Sequence, residues 1–416
     1  MEEVRKTVKK KLISVLCVLV VLVLAATLIG PYVILNAVRQ PEVAQSYAYS
    51  DSFYESYEQI RVHLQDLTKD LGVEISSYAV DAGDDLYIDS FYLPSGAEKR
   101  NLIVLTTGVH GTEGYIGATM LDVFFGEIYP TLDTAHTGVL VVANVNPYGM
   151  KYLRRYNENN VDLNRNFILD WDSFDLSSNK EYPKVDKFLG PTGRIGNGLW
   201  HEVGFYLSLG KTAITDGAGT ISDALLTGQY EYPQGVYYGG KGDEASTVYL
   251  KDVFSRCLDS SYENIVHIDL HSGYGPRYNM VIFNSVYERM NEAESVEAFG
   301  YDYVIAHDSE AFYATTGDTT DFFYRLAEQK GATAELFSTC FEFGTIGDAF
   351  FDTILSLKYT IDENRNHWYP TKNRVSAQIV HENYMELFYP TETAWREKTV
   401  QDFKTAAAGV LNAKLK

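Results

Sequence analysis

The chain has 416 residues, 45% hydrophobic and 22% charged, which is enough apolar content for a sizeable core and excludes a disordered chain. Its 35 basic against 56 acidic residues give a formal charge of -21, which repels phosphate backbones and anionic lipid surfaces and argues against nucleic-acid binding as a main role. One large domain, or one with a small appendage, is expected at this length. The N-terminus stands apart. MEEVRKTVKKK carries Arg5, Lys6, Lys9, Lys10 and Lys11, and the run from Leu12 to Leu35 that follows holds no charge. A helix of that length spans a hydrocarbon layer of about 30 Å, and its basic flank stays in the cytoplasm. The expected arrangement is a basic tail over 1–11, a transmembrane anchor over 12–36 and an extracytoplasmic remainder on a single-pass cell-membrane protein. A cleaved signal peptide has a shorter apolar core, about 7 to 15 residues, and a small-x-small site. Pro31 and Tyr32-Val33-Ile34-Leu35 fit that poorly. Cys17 lies inside the apolar run, and the other two cysteines, Cys257 and Cys340, do not by themselves establish a disulfide.

Residues 37–50 are polar, contain Pro41 and read as a tether into a domain covering 51–416. Asp51 reads as a helix cap, and apolar residues recur at helical spacing from Phe53 to Leu67. Two alternating segments, 73–80 and 86–93, flank the turn-like DAGDD and predict a hairpin. LIVLTTG at 102–108 and VLVVANV at 139–145 are continuous apolar runs, as in strands buried on both faces, with a helical pattern over 114–125 between them. Shorter strand-like runs follow at 265–270, 280–283, 303–306 and 333–343, with helical stretches at 246–258, 286–298, 319–329 and 391–413. This alternation predicts an α/β domain. The segment from about 168 to 245, rich in Gly, Pro, Asp and Tyr, reads as a long insertion over the face of the domain.

Val109-His110-Gly111-Thr112-Glu113 follows the first buried run, which puts an imidazole and a carboxylate at the carboxyl end of a strand, where open α/β sheets bind ligands. A catalytic zinc site takes three nitrogen or oxygen ligands and keeps one position open. HIDLHSG at 267–273 offers a third ligand: His267, Asp269 and His271 share one strand face, and His271 stands at its end. Between these segments run Asn146-Pro147-Tyr148-Gly149, Arg154-Arg155-Tyr156-Asn157 and Val161-Asp162-Leu163-Asn164-Arg165-Asn166-Phe167.

In that order, from about residue 100 to 350, these motifs resemble the zinc metallocarboxypeptidase superfamily, in particular a bacterial branch of it. The resemblance implies a mixed, largely parallel central sheet flanked by helices and one Zn2+ held by His110, Glu113 and His271. It implies that Asp162 orients His110, a role that fixes the imidazole's tautomer. Arg155, which keeps the family's spacing to Asn157 better than Arg154 does, then polarises the scissile carbonyl. Asn164 and Arg165 match the pair that grips a substrate's terminal carboxylate. Glu342, in Cys340-Phe341-Glu342-Phe343-Gly344-Thr345, matches the general base, and its flanking phenylalanines should raise its pKa towards the working pH. Glu335 is the competing carboxylate. Tyr313 matches a mobile tyrosine that closes over substrate. Thr320 falls in the pocket for the terminal side chain, which then offers no charge unless Asp318 turns inward.

The function this implies is zinc-dependent hydrolysis of an amide next to a carboxylate-bearing residue, by a metallocarboxypeptidase acting on extracellular or cell-wall peptides. Succinylglutamate desuccinylase and aspartoacylase share the ligands, the arginine and the Asn-Arg pair, so the deacylation of N-acyl amino acids is the second reading. A membrane-anchored binding protein without turnover is the third, although such a chain should have lost a ligand or the base.

Overall fold

The computed structural model describes residues 2–38, 47–309 and 315–416. Among these, eight strands form one sheet: β1 (Ile75–Asp81), β2 (Leu86–Leu93), β3 (Asn101–Thr107), β4 (Thr137–Ala143), β5 (Asn264–Ser272), β6 (Met280–Asn284), β7 (Val304–Ile305) and β8 (Glu335–Phe343). Their order is β1-β2-β4-β3-β5-β8-β6-β7. The centre is parallel, with β3 between β4 and β5 and with β8 beyond β5. The β1–β2 hairpin at one edge, and β6 against β8 towards the other, run antiparallel. The α/β class with a mixed, largely parallel sheet is therefore what forms. The central strand shows why. Ile103 and Leu105 of β3 point into one core cluster, and Leu102 and Val104 into another on the opposite face, so an unbroken apolar run is what a doubly covered strand needs.

The helices are α1 (Glu2–Val38), α2 (Tyr57–Leu71), α3 (Gly114–Val123), α4 (Pro147–Lys151), α5 (Tyr182–Leu189), α6 (Gly198–Thr212), α7 (Ala218–Leu226), α8 (Ala245–Leu258), α9 (Glu292–Phe299), α10 (Thr319–Lys330), α11 (Phe350–Trp368), α12 (Arg374–Phe388) and α13 (Thr393–Lys414). Residues from α2, α3 and α13 share the core of one sheet face, and those from α8 and α10 share the other. The first helix of the domain is capped by Ser56, which accepts the Gln59 N–H, and not by Asp51, which lies in a separate short turn. The 168–245 segment is less irregular than its composition suggests, because it holds α5, α6 and α7. Phe205 and Ile221 pack there with Leu357 and Ile361 of α11. Helix α1 contains Lys9–Val38, long and apolar enough to cross a membrane. Its C-terminal part touches α6 and α12. Cys257 is buried, Cys340 is partly buried, and the two are not bonded to each other.

Candidate metal centre and active site

The crossover from β3 leads to β4 on one side, whereas β5 lies on the other, so the carboxyl ends of β3 and β5 diverge into a crevice. After β3 the chain turns through Gly108 (φ 75°) and brings His110 and Glu113 to the start of α3. Asn146-Pro147-Tyr148-Gly149 braces this turn. Asn146 accepts the Gly149 N–H at 2.8 Å and donates to the Arg155 carbonyl at 3.0 Å. Thr112 N–H donates to the Arg154 carbonyl at 3.0 Å. A Cβ on Gly111 would lie 2.1 Å from the Gly149 carbonyl carbon, so only glycine permits this approach.

His110, Glu113 and His271 converge, all of them buried. His110 Nδ1 is 2.9 Å from Glu113 Oε1, His271 Nδ1 is 2.9 Å from Glu113 Oε2, and the two Nδ1 atoms are 3.2 Å apart. Each far nitrogen faces a carboxylate: His110 Nε2 lies 3.0 Å from Asp162 Oδ1, and His271 Nε2 lies 2.9 Å from Asp269 Oδ2. A carboxylate only accepts, so both Nε2 atoms carry protons and both Nδ1 atoms can turn lone pairs inward. Two lone pairs facing each other and a carboxylate repel unless a cation lies among them. Tetrahedral zinc with ligands at about 2.0–2.2 Å separates its ligand atoms by about 3.3–3.6 Å, a few tenths of an ångström wider than the spacings here, so the donor set fits such an ion in type and nearly in spacing. The proton equilibria show the same demand for positive charge. Burial opposes charge on His271, yet Asp269 and Glu113 hold its imidazole well above the usual value. Burial pushes Glu113 up, but His110 and His271 outweigh it and hold the carboxyl far below its usual range.

Asp269 has a part that no motif in the sequence marks. It also accepts from Thr106 and Thr319 hydroxyls, each at 2.5 Å, and so orients the second histidine as Asp162 does the first. The signal was present, since Asp269 and His271 are two apart on one strand face. His267 on that face is fully buried within the sheet, between Thr106 and Ser338 hydroxyls, and burial pushes its pKa down to about 4.

Arg155 donates from Nε to Asp162 at 2.9 Å, lies 3.4 Å from Glu113 through Nη1, and stacks 5.5 Å from the Tyr237 ring centroid. Arg154 points elsewhere, into Glu363 of α11 at 2.7 Å. Glu342 pairs in register with His271 across β5 and β8, and its Oε1 accepts the Tyr274 N–H at 3.0 Å. Burial, and then the charge of Glu113, push its carboxyl up to about 7. Glu335, at the other end of β8, is exposed and meets Lys416.

His110, Glu113, His271, Arg155 and Glu342 open on one cavity of about 420 Å³, which Asn164, Arg165 and Thr320 also line. Arg165 is buried. It donates to the Asn164 carbonyl at 2.8 Å, and its Nε has no partner among the described residues. The Asn164 side-chain oxygen accepts the Thr319 N–H at 3.0 Å. Thr320 donates to Asp318 at 2.7 Å, so the neutral hydroxyl comes with an acidic neighbour, and Asp321 also lines the wall. Burial, with the charge of Asp318, pushes Asp321 up to about 7. The insertion supplies Ser222, Leu225 and Tyr237 to the cavity. Tyr313 lies outside the described residues.

A sequence profile described as a protein of unknown function (DUF2817) matches residues 53–402, and the chain belongs to that family. No curated protein matches the sequence. Similar solved structures include a Shewanella amazonensis protein provisionally titled a metallopeptidase, 13% identical over 84% of this chain and 97% of that one, with a TM-score of 0.39. Another is carboxypeptidase A from Helicoverpa armigera, 14% identical over 87% of this chain and 80% of that one, at 0.42. A third is succinylglutamate desuccinylase from Chromobacterium violaceum, 14% identical over 76% and 75%, at 0.35.

Proposed function

We propose that the chain is a zinc hydrolase that cleaves an amide bond beside a carboxylate, most simply a carboxypeptidase, held to a membrane by α1 with its catalytic domain outside. The observation that carries this reading is the pair of Nδ1 atoms facing each other at 3.2 Å with both Nε2 atoms fixed by carboxylates, beside a second buried acid, Glu342. His110, Glu113 and His271 would hold the ion, which when bound supplies Lewis-acid polarisation and acidifies water. Glu342 takes the proton of the attacking water and passes it to the leaving amine, as a base poised near neutrality does best. Arg155, fixed by Asp162, faces the negative charge that grows on the carbonyl oxygen. Arg165, with a free Nε, and Asn164 receive the substrate carboxylate. Asp162 and Asp269 keep the imidazoles aimed. Tyr313 and Thr320 are assigned to closure and to the terminal side-chain pocket.

Deacylation of N-acyl amino acids is the alternative, and one feature favours it: helix α7 and Tyr237 narrow the cavity from the insertion side. Metal analysis of the full-length protein purified without chelator, followed by assays on peptides with free or amidated C-termini beside N-acyl amino acids, tests the reading. Hydrolysis confined to free-carboxylate peptides supports the carboxypeptidase, and turnover of acyl amino acids alone transfers the site to the deacylase. Absence of a bound metal and of any turnover would leave the binding protein.

A further inference from the structure

Helix α6 presents its apolar side outward. Trp200, Val203, Leu207 and, two residues past its end, Ile214 fall on one helical stripe, with Leu207 and Ile214 70% and 87% exposed. A soluble helix turns its polar stripe to water. Helix α11 runs antiparallel to α6, since His201 meets Asp362 near the start of α6 while Leu209 shares a cluster with Ile354 further along. The first residues of α11, Phe350 and Phe351, are 74% and 73% exposed and so belong to the same end of the helix pair as Ile214.

Helix α6 starts on α1. Trp200 Nε1 donates to Thr27 Oγ1 at 2.9 Å, and Asn197 donates to the Thr27 carbonyl at 2.9 Å. Leu199 packs so closely on Gly30 that a Cβ there would come within 2.8 Å of its side chain. About 20 helical residues cross the hydrocarbon layer, so a crossing that begins at Leu12 ends at about Pro31, the level at which α6 departs. Trp and Tyr belong at that depth, and Trp200 and Tyr206 are both exposed there. With a net charge of -21 the attraction is apolar and not a pull towards anionic lipid.

We propose that α6, its continuation to Ile214 and the start of α11 dip into the outer leaflet of the bilayer that α1 crosses. The partner is lipid, and this rests on the reading of α1 as an uncleaved anchor. Thr353 and Leu357 of α11 line the active cavity, so one of the helices that enter the leaflet also walls the cleft. The cleft is thereby held at the bilayer surface, within reach of substrates lying on it.

The full chain reconstituted in phosphatidylcholine vesicles, with or without bromine on the acyl chains, tests this through tryptophan quenching. Native protein should be quenched, and Trp200→Phe should lose most of that quenching. In the Trp200→Phe background, Leu207→Trp and Ile214→Trp should restore it, whereas Val62→Trp on α2 should not; Val20→Trp reports on α1. Quenching at Val20 but not at 207 or 214, whether those positions are open to aqueous iodide or shielded by a protein partner, overturns the inference and leaves the anchor standing. An unquenched Val20→Trp in a chain washed from the vesicles by alkaline carbonate removes the anchor, and the inference with it.

Discussion

Two buried clusters of charge stand near one another, and they are built differently. In the first, Lys358 of α11 lies 2.7 Å from both Glu202 and Asp362, and Asp362 also meets His201 at 2.6 Å. Burial opposes the Lys358 charge, but Asp362 and Glu202 more than restore it, so positive and negative groups answer each other and tie α6 to α11. In the second, His110, Glu113 and His271 turn acceptors towards one point while Asp162 and Asp269 add negative charge behind them. A cluster whose charges are matched among its own side chains holds a fold together; a cluster with negative charge and lone pairs in excess is a receptor for a cation.

Substitutions should separate the two. The largest effect is expected of Glu342→Gln, which removes the proposed base and should lower kcat by up to about 10⁴-fold with little change in KM or bound metal. Retention of near-full turnover with the metal present would end the assignment. Lys358→Met should leave the buried Asp362 and the partly buried Glu202 without that cation and cost about 3 kcal/mol in chemical unfolding, while metal content of the folded protein is unchanged. Arg155→Ala should lower kcat by about 10²–10³-fold, read in steady-state kinetics on the best substrate found. Asp269→Asn should weaken metal binding by about 10–100-fold in chelator competition, an effect the Lys358 cluster cannot produce. The smallest effect is on the pH profile. In the proposed mechanism Glu342 works ionised, so kcat/KM should fall as pH drops through its pKa. Burial sets that near 7, and a neighbouring cation, which favours the carboxylate, moves the limb below 7. That limb should disappear in Glu342→Gln.

Much of this was readable before any coordinates. The doubly buried runs gave β3 and β4, the alternating pair gave the β1–β2 hairpin, and His110, Glu113, Asp162 and His271 stood out by motif and order. Other parts were not readable. Helices α11 and α12 escaped the periodicity because α11 buries Lys358, Thr360, Asp362 and Asn364 alongside Leu357 and Ile361, which blurs the apolar stripe. Helix α6 was hidden in a glycine- and tyrosine-rich segment, and its apolar side faces outward, contrary to the rule by which a soluble helix is read. Asp269 looked like one more polar residue in a strand until its neighbours were known.

The sequence by itself determined the local chemistry: which strands could be buried on both faces, and which residues had the right donor atoms. Only the tertiary structure decided which of those atoms converge. His271 and Glu342 are far apart in the chain, and they become neighbours only because β5 and β8 pair in register. It also placed the two adjacent arginines, which the sequence separates only by their spacing to Asn157: Arg155 lines the cavity while Arg154 turns to Glu363. The reason is physical: strand order and side-chain direction follow from burying apolar surface across the whole sheet, a sum over distant residues that no local pattern contains.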